Sequence, residues 1–298
     1  MSVRVTIIGS GSPHPDRDAG GSSVAITVDD RHYLFDCGHG ATTRLVQAGI
    51  SPPTINTVFF THLHYDHCVD FPMFVLSSWL GDRSEPLSVL GPGGTKDFCK
   101  HLFVGGAFDQ DIKARSQFGR RQENFFAVEP EVTEYEPGEI FEDDLIKVTA
   151  VPVYHVDSEI MPCHGMRIDT ADRSIVISGD TRPCEEITEL SRGVDLLIHE
   201  SAMDEEAMTH RRETKVGVVA HTPAIELGEL AAKAGVKQLI AIHQGGKETS
   251  NPVLLDLMRH HFPNMLIGPG YFDRTIDRIR QNYDGPVRVA QDLMRIDL

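Results

Sequence analysis

The heptapeptide Thr61-His62-Leu63-His64-Tyr65-Asp66-His67 decides how the rest of the chain is interpreted. Four of its side chains can bind a metal ion: His62, His64, Asp66 and His67. Imidazole nitrogen and carboxylate oxygen are the ligand types that suit zinc and similar divalent ions. Four such residues in six positions are too dense for an ordinary solvated loop, so we interpret the stretch as a metal-binding motif.

The segment before this motif, residues 55–60, is apolar with β-branched and aromatic side chains, and it predicts a buried strand. The ligands therefore begin where a strand ends. His62 and His64 are two positions apart, so in an extended segment they point to the same side. Asp66 and His67 need a turn, which would aim them at a second position. One short segment thus offers two pairs of ligands, from which a two-metal site can begin.

Length and composition limit the class of protein. The chain has 298 residues, of which 40% are hydrophobic and 24% charged, and its net charge is −16. Such a chain suits one large α/β domain or two small ones. No low-complexity linker divides it, so we interpret residues 1–298 as a single domain. A strongly acidic chain repels polyanions, so non-specific nucleic-acid binding is disfavoured.

The cysteine pattern and the absence of long apolar runs bear on the compartment. The five cysteines form no CxxC pair, which argues against a disulfide framework or a thiolate zinc site. Free thiols suit a reducing cytoplasm, where we expect the protein to reside. Residues 1–11 do not resemble a signal peptide, and no apolar run approaches the ~20 residues of a membrane span.

Strands and helices are predicted to alternate along the whole chain, which is typical of a layered α/β protein. The strands are predicted at residues 3–8, 22–28, 31–35, 55–60, 87–90, 132–135, 146–153, 165–169, 174–177, 195–198, 238–242 and 287–290. The helices are predicted at residues 41–48, 71–80, 95–103, 185–191, 223–234 and 252–261.

Histidines and carboxylates directly follow six of the predicted strands. They are Asp36, the motif at residues 62–67, His155, Asp180, Glu200 and His243. In layered α/β folds the ligand-binding crevice lies at the carboxyl ends of the strands. Any one of these residues alone would be an ordinary turn former. Their coincidence with a strong metal motif predicts that they converge on one site.

The order of these motifs resembles the metallo-β-lactamase superfamily, and within it the branch of ribonuclease Z and arylsulfatase-like hydrolases. The resemblance spans nearly the whole chain. It rests on Gly9-Ser10-Gly11, Phe35-Asp36-Cys37-Gly38, His62-x-His64-x-Asp66-His67, His155, Ser178-Gly179-Asp180-Thr181, His199-Glu200, His221-Thr222 and His243. It implies the fold class α/β: an αββα four-layer sandwich, with two facing mixed sheets and helices outside.

The resemblance also implies two divalent metal ions, with Zn²⁺ expected and Mn²⁺ or iron as alternatives because carboxylates are present. Asp36 would orient the ligands through hydrogen bonds from behind. The implied ligands are His62, His64 and His155 for the first ion, Asp66, His67 and His243 for the second, and Asp180 as the bridge.

Three residues are expected to act in catalysis: Asp66, His221 and Glu200. In the ribonuclease Z branch, the histidine that matches His221 protonates the leaving oxygen, and the carboxylate that matches Glu200 holds it. A water bridging two metal ions loses a proton near neutral pH, because one metal alone can lower its pKa to ~7. Asp66 would steer the resulting hydroxide. The helix that follows His221 would lower its pKa and Glu200 would raise it, so the sequence leaves the direction open.

The chain departs from ribonuclease Z enzymes in one respect that bears on substrate. Those enzymes carry a long glycine- and proline-rich arm that clamps transfer RNA, inserted between the positions that match His155 and Asp180. Here the two residues are only 25 positions apart. Together with the negative charge, this predicts a small ester substrate and no nucleic-acid partner.

The expected function is therefore hydrolysis of a small, cyclic-nucleotide-like phosphodiester by a metal-bridging hydroxide, with His221 and Glu200 protonating the leaving oxygen. The alternative is an arylsulfatase or another aryl-ester, aryl-ether or lactone hydrolase. Less favoured are tRNA 3′-processing and a non-catalytic metal-binding subunit. A homodimer or an assembly with a homologue is expected by analogy with the branch. The sequence leaves the roles of His39, Tyr65 and His164 open.

Overall fold

The computed structural model describes residues 1–215, 220–261 and 265–298, without the side chain of His261. The described residues form two compact units, each containing a seven-stranded mixed sheet. The first unit comprises Met1–Gly9, Gly21–Glu136 and Asp292–Leu298, and the second comprises Ser10–Gly20 and Pro137–Gln291.

In the first unit, the sheet has the strand order β14-β1-β2-β3-β4-β5-β6. Pairing is antiparallel from β14 to β3 and parallel from β3 to β6. The strands are β1 (Val3–Gly9), β2 (Ser23–Val28), β3 (Arg31–Phe35), β4 (Ile55–Phe59), β5 (Ser88–Gly91), β6 (Glu131–Glu134) and β14 (Arg295–Asp297).

The helices of the first unit bury an aromatic cluster against this sheet. Phe71 and Phe74 pack with Phe60 and Trp79, all fully buried, in a core that also holds Val58. The helices are α1 (Ala41–Gln47), α2 (Tyr65–Cys68), α3 (Phe71–Leu80), α4 (Thr95–Leu102), α5 (Asp109–Arg115) and α6 (Gly119–Glu123), with 3-10 turns at Pro52–Thr54 and Phe125–Val128.

In the second unit, the sheet has the order β13-β12-β11-β10-β9-β8-β7. Pairing is antiparallel from β7 to β10 and parallel from β10 to β13. The strands are β7 (Gly138–Glu142), β8 (Lys147–Pro152), β9 (His164–Asp169), β10 (Ser174–Ile177), β11 (Leu196–Glu200), β12 (Leu239–Ile242) and β13 (Val287–Val289).

The helices of the second unit pack on its sheet through aliphatic side chains. Leu227 and Ala231 lie against Leu197 and Leu239 in one buried cluster, which Ile279 completes. The helices are α7 (Glu185–Leu190), α8 (Glu205–Thr214), α9 (Ala224–Ala234), α10 (Pro252–His261) and α11 (Tyr271–Ile279). Among the described residues, elements that the sequence did not predict include β7, β14, α8 and α11.

Parallel pairing aligns the carboxyl ends of neighbouring strands within each unit. In the first unit, Phe35 on β3 lies opposite Phe59 on β4, and the backbone N–H of Asp36 donates to the carbonyl of Phe59. In the second, Ile177 lies opposite Ile198, and Glu200 lies opposite Ile242. The residues that follow these strands therefore emerge at one edge of each sheet, which is where ligand-type residues were predicted.

All five cysteines are free thiols, and all but Cys184 are buried. Burial raises the pKa of Cys68 and of Cys99 to about 12, so both thiols stay protonated near neutral pH. In the described part of the chain, the helices are too short or too polar to cross a bilayer.

Gly228, in the middle of α9, allows α11 to approach closely. A Cβ at this position would collide with the carbonyl oxygen of Ile279. Glycine inside a helix normally costs ~0.5–1 kcal/mol relative to alanine, but overpacking costs ~1–3 kcal/mol. We therefore expect Gly228→Ala to lower the free energy of unfolding by roughly 1–2 kcal/mol, measured by urea denaturation.

The matched control is Gly119→Ala, at the first residue of α6, where a Cβ would meet nothing within 4 Å. This variant should be neutral or slightly more stable. Equal stability changes in the two variants would contradict the packing explanation.

Candidate metal centre

The predicted metal motif forms one compact cluster in the first unit. The chain is extended after β4 and turns into α2, which carries two of the ligand-type residues. His62 Nε2 lies 3.1 Å from His64 Nδ1, and His67 Nε2 lies 3.8 Å from Asp66 Oδ2. The rings of His62 and His67 are 4.1 Å apart between centroids. His64 is half-buried, while the other three side chains are buried. The structure therefore brings all four residues of the motif together.

Asp36 lies behind this cluster and holds it through hydrogen bonds. It follows β3 in the left-handed backbone region, with φ of 59°. Its Oδ1 accepts from Thr61 N at 2.8 Å, and its Oδ2 accepts from Thr61 Oγ1 at 2.9 Å. Oδ2 also accepts from His67 Nδ1 at 2.7 Å. Because Nδ1–H donates to this carboxylate, His67 Nε2 retains the lone pair that a metal would need.

The glycine after Cys37 explains how the first unit packs the motif so tightly. A Cβ on Gly38 would collide with the carbonyl oxygen of Asp66 and with the backbone of Gly21. Cys37 N also donates to His67 O at 2.6 Å. The Phe35-Asp36-Cys37-Gly38 stretch is thus the backbone support for α2.

In the second unit, Asp180 lies between two histidines. Its Oδ2 is 3.7 Å from His155 Nε2 and 3.4 Å from His243 Nε2. All three side chains are buried. His155 Nδ1 donates to the carbonyl of Ala220 at 3.1 Å, so its Nε2 lone pair faces the carboxylate. Burial lowers the pKa of His155, against the opposing charge of Asp180, which favours the neutral form that binds metals.

The donor sets of the two units suit divalent cations. Ligand atoms of a tetrahedral zinc site with bonds of ~2.0–2.1 Å lie about 3.3 Å apart. The separations within each unit range from 3.1 to 3.8 Å. Buried carboxylates with imidazole neighbours are also costly unless an ion or a proton neutralises them. The residues present therefore fit a metal centre.

Glu200 and His221 form a hydrogen-bonded pair in the second unit. His221 Nδ1 lies 3.2 Å from Glu200 Oε1, which also accepts from Thr181 N at 3.2 Å and Thr222 N at 3.0 Å. Glu200 Oε2 accepts from Ala202 N at 2.7 Å. Burial acts against the Glu200 carboxylate, yet His221 keeps its pKa below the ordinary value. Burial likewise opposes protonation of His221, but Glu200 outweighs it and raises the pKa of His221.

His221 also lies beside the histidines that flank Asp180. Its ring centroid is 4.9 Å from that of His155 and 6.0 Å from that of His243. The pair predicted from sequence is therefore assembled within the same unit as three of the predicted ligands. A histidine held as a donor by a buried carboxylate is suited to give a proton to a developing oxyanion.

Lys247 is a site residue that the sequence did not reveal. It is fully buried, and its Nζ donates to the carbonyl of His243 at 3.0 Å. His243 has a left-handed backbone with φ of 70°, which this bond supports. Burial lowers the pKa of Lys247 to about 8, against the opposing charges of Glu200, Asp204 and Asp180. A lysine directly after Gly245-Gly246 was the available signal, but it is the kind of residue that usually marks a solvated turn.

Four other residues near the motifs lie as follows. His39 is half-buried, and its Nε2 has no hydrogen-bond partner among the described residues. Tyr65 is 56% exposed, so it does not pack beneath the loop. His164 begins β9, and burial lowers its pKa to about 4. His199 Nδ1 donates to the carbonyl of Glu200, so its ring is engaged by backbone rather than by the ligands.

Residues 154–162 form a short loop between β8 and β9. Val153 N donates to Cys163 O at 2.9 Å, so the two ends of the loop are joined. Asp157 closes a turn inside it by accepting from Glu159 N and Met161 N. Most of the loop is exposed.

Comparisons with known proteins bear on these observations. Residues 31–244 match a family model described as the β-lactamase superfamily domain. A relative from Mycobacterium marinum named Ribonuclease Z is 30% identical over 302 residues, covering 99% of each chain. The metallo-β-lactamase fold protein YhfI from Bacillus subtilis superposes with a TM-score of 0.73 at 18% identity over 100% of both chains. The short form of human tRNase Z gives a TM-score of 0.65 at 22% identity over 98% of both chains.

One prediction is overturned by these comparisons. The sequence favoured a small phosphodiester or sulfate ester as substrate and ranked ribonuclease Z activity below it. The relatives that cover nearly the whole chain carry the name Ribonuclease Z, so the preference for a small ester is wrong. The missing arm and the net charge do not determine the substrate, because substrate choice depends on the local surface rather than on the total charge.

The other predictions about class are confirmed. The two mixed seven-stranded sheets and the likeness to solved structures confirm the predicted fold. The matching family model and the relatives confirm a metal-dependent hydrolase acting on ester bonds. The chain therefore belongs to the metallo-β-lactamase superfamily, as a member with a β-lactamase superfamily domain and relatives named Ribonuclease Z.

Proposed function

We propose that this protein is an endoribonuclease of the ribonuclease Z type, which hydrolyses a phosphodiester bond on the 3′ side of transfer RNA. The proposal is supported by the relatives of that name, which are 27–31% identical over most of the chain. It implies a nucleic-acid substrate and a cytoplasmic setting, where free thiols persist.

The observation that carries the proposal is the buried Glu200 carboxylate bonded to His221, beside His155 and His243. The leaving oxygen of an RNA phosphodiester is a ribose alkoxide, which departs only if it is protonated. A histidine whose pKa is raised by Glu200 is protonated over more of the neutral range and can give that proton.

We propose that the predicted ligand side chains hold two divalent ions, with Zn²⁺ preferred because the donors are rich in imidazole. Divalent ions, when bound, supply Lewis acidity and a nucleophile at neutral pH. The proposed ligands are His62, His64 and His155, then Asp66, His67 and His243, with Asp180 shared.

The chain's own contribution is to fix these donors before substrate arrives. Asp36 sets the tautomer of His67, and the carbonyl of Ala220 sets that of His155. Lys247 holds the backbone of His243 in its left-handed turn. Asp66 would orient the nucleophile in addition to binding metal. Removing hydrogen bonds of this kind to metal ligands typically lowers metal affinity or activity 10–100-fold.

We further propose that residues 1–298 act as one metallo-β-lactamase-fold domain and that the protein forms a homodimer or assembles with a homologue. The match to the family model supports the first point, because residues 31–244 run through both units. The second rests on analogy with the branch, and size-exclusion chromatography with light scattering tests it.

The first prediction concerns the substrate. Metal-loaded protein should cleave a precursor tRNA that carries a 3′ trailer, and a chelator should abolish the cleavage. Because only 25 positions separate His155 from Asp180, the chain has no room there for an RNA-clamping arm, and little of the tRNA beyond the acceptor stem should be gripped. We expect kcat/KM for an acceptor-stem minihelix to lie within about tenfold of that for the full precursor, or ~1.4 kcal/mol. No cleavage of either RNA with metal present would refute the proposal.

The second prediction separates the proton donor from the metal ligands. His221→Ala should retain bound metal but lose ~10²–10⁴-fold in kcat on RNA, because the ribose oxygen then leaves without a proton. The loss should be far smaller on bis-p-nitrophenyl phosphate, used as a probe, because its leaving group needs no protonation. Equal losses on both substrates would argue against a proton-donor role.

The third prediction concerns Asp180. Asp180→Ala removes the carboxylate shared by His155 and His243, so metal content and RNA cleavage should fall together. Metal content is measured by inductively coupled plasma mass spectrometry on the purified variant. Asp172→Ala, in the exposed turn at the other end of β10, is the matched control and should keep both. Full metal occupancy in Asp180→Ala would contradict the bridging role.

A further inference from the structure

Tyr154 and Arg182 lie directly beside the ligands of the second unit. Tyr154 precedes His155, and Arg182 follows Asp180 by two positions. Arg182 N donates to Tyr154 O at 3.1 Å, and Tyr154 N donates to Thr181 Oγ1 at 3.1 Å. These two bonds tie the segment after β8 to the segment after β10. The two side chains are therefore placed by the same backbone that places His155 and Asp180.

The side chain of Tyr154 is held by a hydrogen bond, and its ring stacks with the guanidinium of Arg182. Its hydroxyl donates to Glu186 Oε1, on α7, at 2.6 Å. Arg182 Cζ lies 5.2 Å from the ring centroid, a cation–π arrangement. Tyr154 is 41% exposed, and Arg182 is exposed as well. The stack is thus a surface group in which the Tyr154 ring and the guanidinium are in contact.

Arg182 differs from most exposed arginines of this protein. Arg4, Arg120, Arg192 and Arg212 each pair with a carboxylate. Across residues 1–215, 220–261 and 265–298, the guanidinium of Arg182 makes no ion pair; it stacks on the Tyr154 ring and interacts electrostatically with the nearby Glu186 carboxylate. Stacking occupies the face of the guanidinium and leaves the N–H groups at its edge available. That edge presents a planar fork that matches phosphate oxygens.

We propose that Arg182, held by Tyr154, binds an RNA phosphate that neighbours the scissile one and so selects a polynucleotide over an isolated phosphodiester. This inference rests on the proposed ribonuclease function. Because the protein has a net charge of −16, its overall electrostatic field does not attract RNA. A cation placed beside the metal ligands answers that difficulty, because it attracts phosphate only where the substrate must dock. Glu186 restrains the ring and interacts electrostatically with Arg182 without forming an ion pair, so the N–H groups of the guanidinium remain available to a phosphate.

The test compares Arg182→Met with Arg173→Met. Arg173 precedes β10, at the end of that strand opposite Asp180, and the part of the chain that the structure describes gives it no ion pair. Both variants remove one positive charge. We expect Arg182→Met to raise KM for the precursor RNA about tenfold, with a much smaller change on bis-p-nitrophenyl phosphate, which lacks a second phosphate. Arg173→Met should behave as wild type.

Salt dependence gives a second readout that a structural role would not move. Loss of one phosphate contact should reduce the slope of log Kd against log salt by about 0.7 for a single-stranded 3′ trailer. Arg182→Lys should recover part of the affinity, because it keeps the charge but not the fork. Tyr154→Ala should resemble Arg182→Met, because it removes the ring, whereas Tyr154→Phe should lose less affinity, because it keeps the ring and loses only the hydrogen bond to Glu186.

Three outcomes would overturn the inference. The first is that Arg182→Met loses as much activity on bis-p-nitrophenyl phosphate as on RNA, or that it loses bound metal. The second is a KM and a salt slope that match those of Arg173→Met. The third is an Arg182→Met protein that binds the RNA as wild type does. If wild type binds but does not cleave RNA, the proposed function fails, and the binding comparison still decides the role of Arg182. If wild type neither binds nor cleaves RNA, both proposals fall.

Discussion

A carboxylate buried away from water must be compensated by hydrogen bonds, by a cation or by a proton, and this constraint shapes the candidate site. Asp36 is compensated by Thr61 and His67, and Glu200 by three backbone amides and His221. Each of these acids therefore has a structural partner for its charge. Removing the partners would leave an uncompensated charge in the interior, so the loops that provide them cannot easily move.

The same constraint divides the acids of the site into two kinds. Asp36 and Glu200 are held by donors of the chain itself, so they orient histidines. Asp180 has the Nε2 atoms of His155 and His243 within 3.7 Å, so three ligand-type groups converge at this point of the second unit. A cation would bind favourably among such groups, which supports the proposal that Asp180 is a metal ligand.

Much of the candidate site could be predicted because its residues follow strands, and strands are visible in the sequence as apolar runs. The predicted strands at 31–35 and 174–177 agree with β3 and β10 to the residue. Parallel pairing then aligns the strand ends within a sheet, so Asp180 and Glu200 could be grouped before any coordinates. The family resemblance added His221, which no periodicity singles out.

The elements that were not predicted have weak local signals. β7 is polar with no fully buried residue, and β14 has only three residues. α8 is polar on nearly all sides, although Asp204 caps it by accepting from Ala207 N, a signature that the sequence does contain. The role of Lys247 could not be predicted, because the burial of a lysine depends on tertiary packing. The prediction of the substrate class was wrong for a different reason. The net charge of the chain and the absence of one insertion say little about which substrate the surface around the site recognises.

The joined ends of the Tyr154–Pro162 loop have an evolutionary consequence. Because Val153 N bonds Cys163 O at the neck, the chain can lengthen or shorten beyond that neck without shifting β8 or β9. Doubling the length of a flexible loop costs only about 0.6 kcal/mol in closure entropy. Segments of different length can therefore be accommodated beyond this neck with little effect on the rest of the second unit, which makes the neck a natural point for divergence in specificity.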